Sequence, residues 1–287
     1  MVAIRKVAGV VLDTDRLDAA VHFYSEGYGL TLARLDADSA HFDGARGEKD
    51  VLILRRRDTA ALAGFRLGLS GPAAVAAAQA DLAAKGYSIA PPVFSEEGFS
   101  IRTPDGQIAD LTPEGDLPDL TPTPDGKPIC ISHLVINSAA PEDMIHFFTA
   151  DLGFRITDAY ENDLLVFLKA DQPQHHCIGI SPGSARALNH FSVDVGSIDG
   201  LMKGIGRMQK AGFTPIWGPG RHGPGGNVFA YFEDPTGFVA EFTCDVLQID
   251  DPDSWKAQHW PRVPENANVW GTGGPTPRAI ALMSGQT

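Results

Sequence analysis

Cysteine is scarce in this 287-residue chain: Cys130, Cys177 and Cys244 stand far apart, with no CxxC pair among them. An odd, scattered set builds neither a disulfide framework nor a structural zinc site, and it fits a reducing compartment, so a cytoplasmic location is expected. Long apolar runs are missing as well. None approaches the ~18 residues that a bilayer-spanning helix requires, which excludes a helical membrane protein. The opening MVAIRKVAGVVLDTD holds a short apolar stretch, but acidic residues follow it and no small-residue cleavage site does, so no secretory leader is expected. Basic residues are outnumbered, 23 against 36 acidic, for a net charge of −13. That sign disfavours nucleic acid or an anionic membrane as the main partner. What is present, 43% hydrophobic and 21% charged residues, is the composition of a globular protein long enough for one large domain or two ordinary ones.

The chain repeats itself. HFYSEGYGL (22–30) matches HFFTADLGF (146–154), AKGY (84–87) matches KAGF (210–213), and RTPDGQIADL (102–111) matches EDPTGFVAEF (233–242). The three similarities occur in the same order, with offsets drifting from 124 to 131. Between the halves, TPEGDLPDLTPTPDGKPI (112–129) carries five prolines and reads as an extended linker. The expected organisation is a module at 3–112, a linker at 113–129, a second module at 130–247, and a tail at 248–287 that packs on the modules.

Each module reads strand, helix, several strands, helix, strands. In the second, ICISHLVIN (129–137), DLLVFLKA (163–170), HCIGI (176–180), NHFSVDV (189–195), NVFAYF (227–232) and FVAEFTCD (238–245) read as strands. Pro141 opens one helix, with Glu142 and Asp143 in its first turn where acids suit the dipole. A second helix at 198–211 carries Leu201, Ile205 and Met208 on one face and stops at Gly212. Asp234-Pro235-Thr236-Gly237 is a hairpin turn. Repeated βαβββ units give an α+β fold with curled mixed or antiparallel sheets, not a doubly wound one.

Three polar residues stand where apolar ones would serve a strand better. His133 shares a face with Ile131 and Val135, His190 lies on the polar side of its strand, and Glu241 shares a face with Val239. A strand histidine is usually a hydrogen-bonded core or surface residue, and a strand glutamate usually faces water. An inward glutamate, however, needs a cation or strong donors. Aligning the halves puts Gly9 opposite His133, Phe65 opposite His190 and Asp110 opposite Glu241, so the shared scaffold folds without the histidines and they read as additions with a purpose. Two imidazoles and a carboxylate converging from separate strands form the facial set suited to non-haem Fe(II), with positions left open.

A second constellation surrounds them. His175 and His176 precede an apolar strand, 15 and 14 residues before His190. His222 sits in the glycine-rich loop GPGRHGPGGN (218–227), and Tyr231 follows nine residues later. Each has a plain reading too, as a solvated loop histidine or ordinary sheet filler. GPGRHG satisfies GxGxxG, but more glycine and proline follow instead of a helix, so it is no dinucleotide fingerprint. Ser181, Ser184 and Cys177 lack a nucleophile-elbow context.

Taken together, the His133 strand, HHCIGI, NHF, GRH nine residues before Tyr231, and Glu241 ten residues after it resemble the type I extradiol ring-cleavage dioxygenases of the vicinal-oxygen-chelate superfamily. The resemblance covers both modules and is most specific from His133 to Glu241. It implies the vicinal-oxygen-chelate fold, with a degenerate first module and a catalytic second one. Residue by residue, it implies that His133, His190 and Glu241 hold Fe(II), with Mn(II) accepted by the same set. It makes His176 the histidine beside the oxygen site, although His175 fits the spacing nearly as well and strand alternation lets only one of the pair point inward. It makes His222 and Tyr231 the groups contacting catechol oxygens. The implied reaction is cleavage of a catechol-type ring with O2, giving a yellow hydroxymuconic-semialdehyde-type acid, in a homo-oligomeric enzyme of aromatic catabolism. The GPGG after His222 departs from the pattern and suggests a mobile loop or an open pocket.

Two other functions fit the same superfamily: a non-catalytic ligand-binding protein, and a glyoxalase-like metal isomerase or lyase. The first has no use for so many polar groups in register; the second usually draws ligands from both modules, which Gly9 and Phe65 do not supply. Phe148, Phe191, Trp217, Trp255, Trp260 and Trp270 are candidates for the pocket wall. With Arg221 the one basic residue expected nearby, an uncharged alkyl- or aryl-substituted catechol is the expected substrate.

Overall fold

The computed structural model describes residues 2–183 and 188–285, so Ser184 lies outside the described residues. The first half forms a seven-stranded sheet from β1 (Lys6–Thr14), β2 (Thr31–Leu35), β3 (Ser39–Asp43), β4 (Leu52–Arg56), β5 (Ala61–Leu69), β6 (Phe99–Arg102) and β7 (Ile108–Pro113), in the order β2-β3-β4-β1-β5-β7-β6. The second half forms a nine-stranded sheet from β8 (Cys130–Ser138), β9 (Arg155–Tyr160), β10 (Val166–Lys169), β11 (Ile178–Pro182), β12 (Leu188–Asp194), β13 (Trp217–Arg221), β14 (Val228–Glu233), β15 (Val239–Cys244) and β16 (Gln258–Trp260), in the order β13-β14-β15-β12-β8-β11-β10-β9-β16. The orders are the same once β13 and β16 are set aside as extra edge strands. The sheets are mixed: β1 pairs parallel to β4 and antiparallel to β5, and β8 does the same with β11 and β12.

The local chemistry that marks the elements is in place. Ser197 caps the helix Ile198–Lys210 by accepting from the Gly200 amide, and the helix buries Leu201, Ile205 and Met208. Pro141 starts a short helix, 141–146, with the acids in its first turn. The predicted strand at 163–170 begins later, at Val166, because 161–163 make a tight turn with Asn162 and Asp163 in the left-handed region. HCIGI also slips: pairing starts at Ile178, and both histidines precede the strand. The segment around Gly218 is not wholly a loop, since Trp217–Arg221 pairs with β14 and places His222 just past a strand end.

The faces away from the site pack into one apolar core shared by both halves. The linker carries no helix or strand after Pro113 and lies along the Ile198–Lys210 helix, where Lys203 and Arg207 donate to the carbonyls of Pro124, Asp125 and Gly126. The first half reaches under the second sheet. Tyr28 stacks on Phe242 at 4.3 Å and its hydroxyl donates to the Glu241 main-chain oxygen at 2.6 Å. Stacking and a buried hydrogen bond are each worth about 1 kcal/mol. The tail supplies β16 and two short helices, Pro264–Ala267 and Pro277–Met283, that lie over the concave face of the second sheet.

Register corrects one element of the internal alignment. Val10 pairs with Phe65 where Leu134 pairs with Phe191, and Val11 pairs with Gly64 where Val135 pairs with His190. The counterpart of His190 is therefore Gly64, and that of Phe65 is Phe191. Both ladders contain irregular steps, so a constant sequence offset cannot hold across them.

Candidate metal centre and its cavity

Adjacent strands bring the three strand residues together. Ser192 on β12 pairs with His133 on β8 and with Glu241 on β15, so those two lie abreast across the sheet. His190 is one same-face step along β12 from Ser192. His133 Nε2 lies 2.8 Å from Glu241 Oε2, His190 Nε2 lies 3.3 Å from the same oxygen, and the two Nε2 atoms are 3.4 Å apart. All three side chains are buried. Three donors bound at right angles to one ion through bonds of about 2.1 Å would stand about 3 Å apart. The observed separations fit that arrangement, and the donor types suit a divalent transition metal.

Electrostatics support the same reading. Burial alone would raise the Glu241 carboxyl, but His133 and His190 outweigh it and hold it below the ordinary carboxylate range. Burial lowers His190, against the pull of Glu241. A carboxylate kept ionised, beside an imidazole whose charged form burial disfavours, is the protonation state a metal requires.

Of the histidine pair, His176 lines the cavity, its ring 4.8 Å from that of His133. Burial and the neighbouring histidines push it well below the usual imidazole range, so it stands neutral. His175 turns away: its Nε2 is 3.2 Å from Asp158 Oδ2, and its Nδ1 meets His176 Nδ1 at 3.0 Å. Gln174 ties the segment to β8 by donating to the carbonyls of Ser132 and His176. Gly225 explains the glycine-rich loop. Its φ is +71°, and a Cβ there would sit 2.8 Å from His176 Cε1, so the loop is packed against the ring rather than open.

His222 and Tyr231 also face the cavity. His222 Nδ1 donates to the Ala267 carbonyl at 2.8 Å, which leaves Nε2 to accept from the Tyr231 hydroxyl at 2.9 Å. Burial lowers His222 to about 4, and burial followed by the charge of Glu241 pushes the Tyr231 phenol well above its usual range. Trp217 stacks on Tyr231 at 5.1 Å, and Phe229 stacks on His222 at 3.9 Å, holding both rings in place.

The cavity measures about 350 Å³, at the lower end of the ~300–1,000 Å³ typical of small-molecule sites. Its remaining wall is mostly apolar, including Val135, Phe167, Trp217, Ile280 and Met283. Of the aromatic candidates only Trp217 contributes. Phe148 and Phe191 belong to the core, Trp255 donates to the Thr157 carbonyl, Trp260 donates to Asp158, and Trp270 packs against Arg221. Arg221 is engaged by Asp245 and the Gly226 carbonyl, and the arginine at the cavity is instead the exposed Arg262. Sequence reasoning missed Asn227, which donates to Glu241 Oε1 at 3.4 Å, and Asn137, Asn189 and Asp158. Their signal was faint, since each is a single polar residue on or beside an apolar strand.

The first half cannot build a matching centre. A Cβ on Gly9 would lie 2.5 Å from the Asp50 carbonyl oxygen, and one on Gly64 would lie 2.2 Å from that of Ile108. The Asp110 carboxylate is occupied by the amides of Val93 and Phe94 and the Ser100 hydroxyl.

A family model described as the glyoxalase/bleomycin resistance protein/dioxygenase superfamily matches residues 130–242. A Mn(II)-bound glyoxalase from Novosphingobium aromaticivorans, known as a crystal structure, is 31% identical, covering 97% of this chain and 94% of its own, with a TM-score of 0.83. The chain belongs to this glyoxalase/bleomycin resistance protein/dioxygenase superfamily. Within it, metapyrocatechase 2 of Cupriavidus necator is 32% identical over 131 residues, which is 45% of this chain and 41% of that relative, so the match spans under half of the relative's length. An extradiol ring-cleaving dioxygenase from B. fuscum shares the fold at a TM-score of 0.79 and 18% identity, over 94% of this chain and 80% of its own. Among the described residues no helix is long and apolar enough to cross a membrane.

Proposed function

We propose that the chain is a non-haem Fe(II) extradiol dioxygenase that cleaves a catechol-type ring with O2, in the degradation of aromatic compounds. The observation that carries this reading is the concentration of His133, His190, Glu241, His176, His222 and Tyr231 around one small cavity. His133, His190 and Glu241 would hold the ion. Fe(II), or Mn(II) in its place, would supply a Lewis acid with open positions for a chelating diol and for O2. The Tyr231 hydroxyl donates its hydrogen bond to His222 Nε2 and leaves its oxygen lone pairs free to accept from a substrate hydroxyl. His222 is fixed in turn by the Ala267 carbonyl, so the substrate oxygens meet groups that are already oriented. The neutral His176 accepts a proton from substrate and returns it as the ring opens. In the overall reaction a ring carbon–carbon bond beside the diol breaks and both atoms of O2 enter the product. The apolar wall favours an uncharged, alkyl- or aryl-substituted catechol. A cytoplasmic homo-oligomer completes the reading.

A glyoxalase-type isomerase or lyase is the second reading, favoured by the name of the full-length structural relative. It is opposed by Gly9 and Gly64, where no ligand fits. Purification without oxygen, metal quantitation, and O2 uptake with a panel of substituted catechols test the proposal. Stoichiometric O2 consumption with a yellow product is expected. A metal-loaded protein that turns over no catechol, or that isomerises a thiol adduct without O2, would overturn it.

A further inference from the structure

The polar contacts of His190 on the side away from Glu241 and His133 run in a single direction. At the far end, the main-chain carbonyl of Met283, in the last helix, can only accept, and it receives the Asn137 Nδ2 at 2.7 Å. The other amide atom of Asn137, Oδ1, therefore faces Asn189 and accepts from its Nδ2 at 3.2 Å. Asn189 must then present its own Oδ1 to His190, 2.8 Å from Nδ1. Two acceptors cannot share a bond, so Asn189 draws a proton onto Nδ1, and Nε2 is left with its lone pair once an ion stands between it and Glu241. Nε2 is the nitrogen that lies 3.3 Å from Glu241 Oε2 and 3.4 Å from His133 Nε2.

We infer that Asn189 and Asn137 are positioning residues, through which the C-terminal helix sets the ring orientation and the tautomer of His190. This rests on His190 being a metal ligand, as proposed above. Asn137 is only 1% exposed on a strand buried throughout, a burial that its bonds to the tail and to Asn189 account for. The tail treats a second imidazole alike, from its other short helix: Ala267 accepts from His222 Nδ1 and leaves its Nε2 free toward Tyr231. Two cavity histidines, on different elements, thus have Nδ1 oriented by the tail, His222 directly through a main-chain carbonyl and His190 through two asparagines. A ligand histidine whose outer nitrogen is anchored binds metal more tightly, and losing such a partner weakens affinity by about 10–100-fold.

The test uses the full chain and Mn(II) as the probe. Asn189→Ala should raise the Kd for Mn(II) by about 10–100-fold with an unchanged melting temperature for the metal-free protein. Asn189→Asp keeps an acceptor oxygen for Nδ1–H but turns its second oxygen toward Asn137 Oδ1, so it should recover part of the lost affinity. In the metal-free protein, 15N imidazole spectra should show Nδ1 of His190 protonated, and less so in Asn137→Ala. Equal affinity in all three proteins, equal loss in the Ala and Asp variants, or an unprotonated Nδ1 in the wild type would overturn the inference. Wild type that binds no Mn(II) would instead sink the metal-centre reading, while the spectra would still decide the tautomer.

Discussion

Gly225 and Gly226 offer a controlled perturbation of His176. Both have positive φ, +71° and +62°, so alanine at either incurs the left-handed backbone strain of roughly 1–2 kcal/mol. They differ in what the new methyl meets. At 226 nothing lies within 4 Å, whereas at 225 it would sit 2.8 Å from His176 Cε1 and 3.0 Å from Nδ1. Ordinary contact begins near 3.4 Å, so the ring must retreat by about 0.6 Å, the difference between 3.4 and 2.8. Misplacing a catalytic group by ~1 Å can lower a rate by about 10²-fold, so Gly225→Ala should reduce kcat by roughly 10–100-fold, or about 1.4–2.7 kcal/mol. Gly226→Ala should show a similar fall in melting temperature with near wild-type kcat. Metal content should be unchanged in both, because neither methyl touches His133, His190 or Glu241. Oxygen-electrode kinetics on a substituted catechol, with metal analysis and thermal melts on the same preparations, measure all three quantities. Equal turnover in the two variants would count against a catalytic role for the His176 ring position, since the methyl at 225 presses on His176 and only touches His175 Nδ1, at an ordinary 3.4 Å.

Other perturbations address the remaining groups. His176→Phe should keep its metal and lose about 10²–10⁴-fold in kcat, the usual share of general acid–base catalysis; loss of metal instead would reassign the residue. Glu241→Ala should lose metal and activity together, with an affinity loss beyond the ~10–100-fold of a mere supporting partner, as titration with Mn(II) would report. A chelator should abolish activity, and Fe(II) or Mn(II) should restore it; restoration by neither would count against the donor set. Asp234 bonds the Tyr24 hydroxyl across the two halves, and burial raises its carboxyl to about 6. A raised acid favours the fold in its protonated form, so that contribution is complete below the unfolded value of 3.8 and lost as pH rises through about 6. Urea unfolding from pH 4 to 8 should show Asp234→Asn gaining on the order of 3 kcal/mol relative to wild type across that window, and a pH-independent difference would refute it.

Much of the centre was legible because its residues contradict their surroundings. His133 among apolar strand neighbours and Glu241 beside Val239 are anomalous against a period-two pattern, and the first half shows the same scaffold without the histidines. The choice between His175 and His176 was not legible. Neither lies in a paired strand, so alternation does not apply, and the Asp158 carboxylate and the Gly225 backbone settle their directions. The error at Phe65 came from irregular ladder steps, which sequence spacing cannot register. The glycines of the 218–227 loop looked like mobility when read alone; in place, one of them is room for an imidazole.

From its residues alone the chain declares two similar halves, an α+β scaffold, and an asymmetry in which the second half carries histidines where the matched strands of the first carry glycine or phenylalanine. These are statements about residue type and period, which travel with the local sequence. Tertiary structure decides everything that depends on separation: which histidine of a pair turns inward, which tail carbonyl orients a ring, and which aromatic walls the cavity. Asn137 and Met283, 146 positions apart, show why. Their bond exists only because helix, strand and tail pack against one another, and no local pattern encodes that meeting.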